Sequence, residues 1–247
     1  MGDPLQNQFD NPDKEKDAAG ERARLRAWGV VLEGEWSPDE IARILAVYQR
    51  LSNLAEDRDV LELFNYQPTI FHHSGREGRV GRTRGSTIFL DNDWTDWTLA
   101  HELGHRWNNA WGRQPEQRLR RAMQAGNLEW LKHTLRRLTK WLEQRLQDLG
   151  INSQLDWRTL WYKPGKSPPP CGVDRNFNAS EDLAESFAGV IFPEEIKERA
   201  KKAAARLKKS RAAWDWGQQV ASFTETARGE TVLKTLRQSG DGENYRV

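Results

Sequence analysis

Apolar and polar positions along the chain follow two periods, and the periods outline the elements. Residues 1 to about 24 are polar and show no apolar period, which predicts a flexible arm. "GVVLEGEW" (29–36) predicts a short strand. Over 37–54, Ile41, Ile44, Leu45, Tyr48 and Leu51 recur at spacings of three and four, the mark of a helix with one buried face. Ser37 followed by Pro38, with Glu40 three residues on, starts that helix with a capping box. "PTIFHHS" (68–74) predicts another strand. "REGRVGRTRG" (76–85) predicts a Gly-rich loop or hairpin feeding a further strand at about 86–91.

A helix follows in "DNDWTDWTLAHELGHRWNNAWG" (91–112), with Asp93 as its expected cap, Asp96 in the first turn and Gly112 at its end. Leu128, Leu131, Leu135, Leu138, Leu142, Leu146 and Leu149 keep helical spacing within a long amphipathic stretch, 114–149, with Gly126 as the expected point of a bend or break. Proline and glycine make 163–178 a loop. Residues 179–192 return to helix with Ser180 as expected cap, and Pro193 restarts a basic helix to about 216. The last thirty residues are weakly patterned. The expectation is an α+β fold, mostly helical with a small mixed sheet. It has one domain over residues 25–216, between an N-terminal arm (1–24) and a C-terminal extension (217–247).

Composition changes this picture little. Of 247 residues, 37% are hydrophobic and 30% charged, polar for a globular chain, and twelve tryptophans can build a sizeable core. A net charge of +2 argues neither for nor against nucleic acid. The basic stretches 197–211 and 76–85 lack the interleaved aromatics of a single-strand binder, so no nucleic-acid partner is expected. The first is expected to be a solvated helix face. The second lies beside the expected substrate strand, where it could select acidic substrates. The single cysteine, Cys171, permits no internal disulfide. The first residues carry no apolar signal core and no run approaches a membrane span. A soluble, cytoplasmic protein with no membrane partner is the default expectation, and export without a cleaved signal stays open.

The chemistry concentrates in "WTLAHELGHRW" (97–107). On a helix, residues four apart lie one turn apart on one face, so His101 and His105 can hold one zinc ion through imidazole nitrogens. Glu102 is placed to act as general base toward a water whose pKa the zinc lowers. A bare HExxH is weak by itself. Here Thr98, Leu99, Leu103 and Gly104 keep charge off its flanks, whereas Arg106 occupies a slot that is usually uncharged. A preceding strand, Ser86, Thr87, Ile88 and Phe89, suits backbone pairing with an extended substrate.

A catalytic zinc needs a third protein ligand and an open position. Asn108 and Trp111 stand where a metzincin needs Gly and His, which excludes that class. His72, His73 and His133 are read as satisfied or exposed histidines. Glu181 and Glu185, four apart on the helix 179–192, offer one acid for the metal and one to hydrogen-bond a ligand histidine. Leu183, Ala184, Phe187 and Ala188 around them predict that this helix packs inside. Glu129 ranks lower, having no acidic partner one turn on.

These two segments together resemble the gluzincin metallopeptidases, which combine HExxH with a glutamate on a later helix. The second segment is similar to the anthrax lethal factor-like peptidases. It is also similar to the ImmA/IrrE-like peptidases, through Glu181, Ala184, Phe187, Ala188 and Pro193. The resemblance covers about 86–112 and 171–193. It implies a zincin-like fold and one Zn2+ per chain held by His101, His105 and Glu181. It further implies Glu185 as the acid supporting a ligand histidine, Glu102 as general base, and a protein or peptide substrate. The chain departs from the pattern in "CGVDRNF" (171–177), which lacks the tyrosine that lethal factor-like enzymes place before the third ligand. "PPPCGVD" resembles the cysteine switch of matrixin propeptides in reversed chain order, so Cys171 is a candidate modulator, with an incidental thiol the simpler expectation. Two other functions stay open: a zinc-binding interaction or regulatory protein without turnover, and a toxin or effector protease acting on a foreign protein.

Overall fold

The computed structural model describes residues 12–56, 58–73, 81–123, 178–199 and 223–238. The architecture is mixed α and β, mostly helical, with one small four-stranded sheet. The chain forms two compact units, residues 1–112 with 233–247, and residues 113–232. Among the described residues no helix is long and apolar enough to cross a membrane.

The first unit opens on helix α1 (Pro12–Ala27), where the sequence pattern suggested an arm. Only a thin apolar stripe seats it: Ala18 and Leu25 are buried, Arg22 reaches the Trp36 carbonyl, and the helix packs on α2 and β1. So few buried positions leave almost no amphipathic signal to read. Strand β1 (Val30–Glu33) follows, then α2 (Pro38–Ala55) with the full Ser37–Glu40 capping box. Every apolar position expected to face inward on α2, from Ile41 to Leu51, is buried. After the short α3 (Val60–Leu63) come β2 (Thr69–His73), β3 (Gly81–Arg84), β4 (Thr87–Leu90) and α4 (Asp96–Ala110).

The sheet runs β1-β2-β4-β3. β1, β2 and β4 are mutually parallel, and β3 is antiparallel to β4. The parallel pair β1/β2 needs a crossover, which α2 and α3 supply. β3 and β4 are joined by a two-residue turn, with Gly85 at φ +60°, a conformation glycine adopts without a steric penalty. Register places Phe71, Ile88 and Thr83 in one row on the helix side of the sheet. Phe71 and Ile88 are fully buried there, and Tyr48 of α2 meets Phe71 edge-on at 6.2 Å. The opposite face carries the row Glu33, His72, Phe89 and Arg82, in which Arg82 lies over the Phe89 ring at 4.5 Å.

Helix α4 packs on α2, β3 and β4. It is buried on nearly all sides: Trp97, Leu99, Ala100, Leu103, Trp107 and Ala110 form its core. Its cap is Thr95, whose hydroxyl accepts from the Thr98 amide, rather than the expected Asp93. The start moves because Arg43 of α2 binds both the Asp96 carboxylate at 2.8 Å and the Trp94 carbonyl at 3.1 Å, which fixes Asp96 as the first helical residue. At the far end Asn65 donates to the Ala110 carbonyl, the Trp111 indole donates to the Leu63 carbonyl, and Gly112 turns away at φ +56°.

Arg106 explains its own unusual place in the motif. It is 1% exposed, donates to the carbonyls of Gln67 and Pro68 at 3.1 and 3.2 Å, and lies 5.5 Å from the Phe64 ring centroid. Burial lowers its pKa from the ordinary arginine value. The charge therefore points into the core, away from His101 and His105, and ties α4 to the segment entering β2.

In the second unit, α5 (Gln114–Ala122) packs on α6 (Ala179–Ile191). The α6 cap is Asn178 rather than the expected Ser180, its side chain accepting from the amides of Ser180 and Glu181. After Pro193 comes a short 3₁₀ turn, Pro193–Glu195, before helix resumes. A second 3₁₀ turn, Phe223–Glu225, leads into α7 (Ala227–Gln238), of which residues 227–232 belong to this unit; it is a helix where the sequence showed only weak pattern. Gly229 lies so close to the backbone of Phe223 that a Cβ there would collide with it. The leucine-rich stretch from 124, the loop 163–177 and most of the basic stretch 197–211 lie outside the described residues.

Replacing Arg106 with alanine would leave two main-chain carbonyls without their charged donor and a void beside Phe64. A loss of about 3 kcal/mol in unfolding free energy is expected, read as a lower urea midpoint at unchanged slope. An unchanged midpoint would show that this contact does not seat α4.

Candidate metal centre

Helix α4 shows its polar chemistry on the side opposite its apolar stripe. At roughly 100° per residue, Leu99, Leu103 and Ala110 share one face, while His101 and His105 lie on the other. Both histidines are half-buried. Their rings meet edge to face with centroids 4.8 Å apart, and their Nε2 atoms are 3.1 Å apart. Two nitrogens bound tetrahedrally to one zinc would stand about 3.3 Å apart, given bonds of about 2.0–2.1 Å. The observed separation is close to that.

Glu102 lies on the flank of α4 that faces the β3–β4 hairpin and is 6% exposed. The Thr83 hydroxyl stands 2.6 Å from its carboxylate Oε2 and 3.0 Å from its backbone carbonyl. Gly81, two residues earlier on the same face of β3, leaves the room that the Glu102 side chain fills: a Cβ there would stand 3.0 Å from Glu102 Cγ. Neither Thr83 nor Gly81 was singled out from sequence, where 76–85 reads as a Gly-rich loop or hairpin without a defined strand face. The alternation Gly-Arg-Thr-Arg before a Gly-Ser turn was the available signal, since it puts both arginines on one face and leaves the small residues on the other.

On α6, Asp182, Leu183, Ala184, Ser186, Phe187 and Ala188 are buried, whereas Glu181 and Glu185 are half-buried. The rotation of this helix is held by a fully buried ion pair between Asp182 and Arg228 of α7, with the Ser186 hydroxyl donating to the Asp182 carbonyl at 2.6 Å. Asp182 thus turns into the core and Glu181, one residue earlier, turns out of it.

The ligand atoms of His101, His105 and Glu181 all lie within 4.8 Å of one another. Two imidazoles and one carboxylate form a group that could hold a metal ion, and among the described residues this is the one such group.

The other expected site residues are placed as follows. Ser86 sits in the hairpin turn and Thr87, Ile88 and Phe89 in β4. β4 is paired with β2 on one side and β3 on the other, so its backbone is already engaged and cannot take up an added strand. Among the described residues the outer strand on that side is β3, formed within the stretch 76–85. His72 is exposed, 3.8 Å from Glu33, and His73 lies against the Trp36 ring and 3.2 Å from Glu40. Cys171, Glu129 and His133 lie outside the described residues.

No family model matches the chain, and no curated protein or solved structure matches it. Elemental analysis is expected to find about one zinc per wild-type chain. Glu181→Ala should weaken zinc binding roughly 100-fold or more, beyond what loss of a merely supporting partner costs. Equal zinc in both proteins would move the third ligand elsewhere.

Proposed function

We propose that this chain is a zinc-dependent endopeptidase of the gluzincin type, built on a zincin-like fold and acting on a protein or peptide substrate. The observation that supports this most is the gathering of His101, His105 and Glu181, with Glu102 next to His101 in the chain and its carboxylate bound by the Thr83 hydroxyl on the flank of the same helix. A structural metal site would not need that acid.

In this reading His101 and His105 would hold the ion through imidazole nitrogens and Glu181 through a carboxylate oxygen. Bound zinc would supply Lewis acidity, lowering the pKa of a water toward neutrality and polarising the scissile carbonyl. Glu102 takes the proton of the attacking water on a carboxylate oxygen. It then delivers that proton to the departing amide nitrogen, so one carboxylate serves as base and then acid. Arg106 takes no part, since its guanidinium is turned into the core.

Cleavage can be read without a known substrate by incubating the zinc-loaded protein with a diverse peptide pool and following products by mass spectrometry. Glu102→Gln is expected to lower turnover roughly 1,000-fold while zinc content stays unchanged. Turnover unaffected by this change, or zinc-loaded wild type that cleaves nothing, would replace the peptidase reading with that of a metal-binding protein without turnover.

A further inference from the structure

The peptidase reading gives Glu102 a proton to move but leaves open what aims its carboxylate. We propose that Thr83 is a positioning residue for Glu102: its hydroxyl fixes one carboxylate oxygen and so sets the direction of the other. This inference rests on the proposed function.

Three observations converge on it. First, Thr83 Oγ1 stands 2.6 Å from Glu102 Oε2, a short contact of the kind an O–H donor makes to an ionised acceptor. The same hydroxyl lies 3.0 Å from the Glu102 carbonyl, so it touches both ends of one residue and restricts its rotamer. Second, Thr83 is β-branched and sits inside a paired strand, opposite Ile88 of β4. Its χ1 is stiff and its backbone is held by the ladder, so the hydroxyl is presented in a fixed direction. Third, Gly81 clears the path. A Cβ at 81 would stand 3.0 Å from Glu102 Cγ and 3.1 Å from Oε1, tighter than an unshifted side chain tolerates. One residue of β3 holds the carboxylate and another makes room for it.

The consequence is a division between the two oxygens. Oε2 is occupied by the Thr83 hydroxyl, and Oε1 keeps its lone pairs for the transferred proton. A carboxylate on a two-methylene stem samples several rotamers when untethered, and proton transfer needs heavy atoms within about 2.6–3.2 Å. Tethering one oxygen narrows the positions that the other can take. A tie that merely joined helix to hairpin would make no distinction between effects on Glu102 and effects on stability.

The test uses the full chain loaded with zinc or cobalt(II), as wild type, Thr83→Val, Thr83→Ser, Gly81→Ala and Glu102→Gln. Thr83→Val, which keeps the shape and removes the donor, is expected to lower kcat on the peptide pool roughly 10- to 100-fold, with KM within about twofold and metal content unchanged. Thr83→Ser, which restores the donor, should recover to within about threefold of wild type. The visible spectrum of the cobalt(II) protein gives a readout that needs no substrate. Thr83→Val and Gly81→Ala should both shift it in the direction that Glu102→Gln does. In the Glu102→Gln background Thr83→Val should add nothing, because it acts through that side chain. Should Thr83→Val fail to fold, Thr83→Ala, which also removes the donor, carries the same comparison against Thr83→Ser.

A Thr83→Val spectrum and kcat equal to wild type would overturn the proposal, as would a spectral change equally large in both backgrounds. Wild type that takes up no cobalt, or a spectrum blind to Glu102→Gln, would instead overturn the peptidase reading beneath it.

Discussion

The rotation of α4 about its own axis is the constraint on which the candidate site depends. A helix that buries Leu99, Leu103 and Ala110 on one face must present His101 and His105 on the other. Arg106 sharpens this phase. Its guanidinium is buried and bound to the carbonyls of Gln67 and Pro68 in this rotation. Any other rotation would leave a charge in the core without acceptors, far costlier than an apolar mismatch. The helix is pinned along its axis as well. Arg43 holds its first turn through Asp96 and Trp94, and Asn65 holds the Ala110 carbonyl at its end.

The hairpin β3–β4 adds what a helix alone cannot. Side chains on α4 reach only as far as their own rotamers allow, and Glu102 lies on the flank rather than beside the histidines. β3 approaches that flank with a small residue and a hydroxyl in alternate positions, Gly81 and Thr83, while Arg82 and Arg84 point to the far side of the sheet. The same alternation that builds the sheet therefore separates the acid's surroundings from the basic face.

Helix α6 solves a similar problem with charge. Asp182 and Glu181 are adjacent acids with opposite fates. Asp182 is buried against Arg228 and Ser186, and Glu181 is turned outward. Replacing such a buried ion pair by apolar residues of the same shape is often no loss in stability, but removing one partner alone is costly, so the pair acts chiefly to specify one rotation. Arg228 sits on α7, which gives a segment that reads weakly in sequence a direct hold on α6.

The periodic elements and the local chemistry are legible in the linear sequence. The Ser37–Glu40 capping box, the buried face of α2, strands β1, β2 and β4, and the one-turn spacing of His101 and His105 all follow from contacts within a few residues, which a linear pattern records. Only tertiary structure decided the rest. Among the described side chains of helix α1 only Ala18 and Leu25 are buried, too few to give an amphipathic signal. The caps shifted to Thr95 and Asn178 because a cap depends on how the preceding chain is anchored, as by Arg43 from 51 residues away in the case of α4. β4 became an interior strand because β3 formed beside it from a segment rich in glycine and arginine. The approach of Thr83 to Glu102, the inward turn of Arg106 and the pairing of Asp182 with Arg228 join residues 19 to 46 positions apart. Contacts at that separation are set by how elements pack, and no periodicity along the chain encodes them.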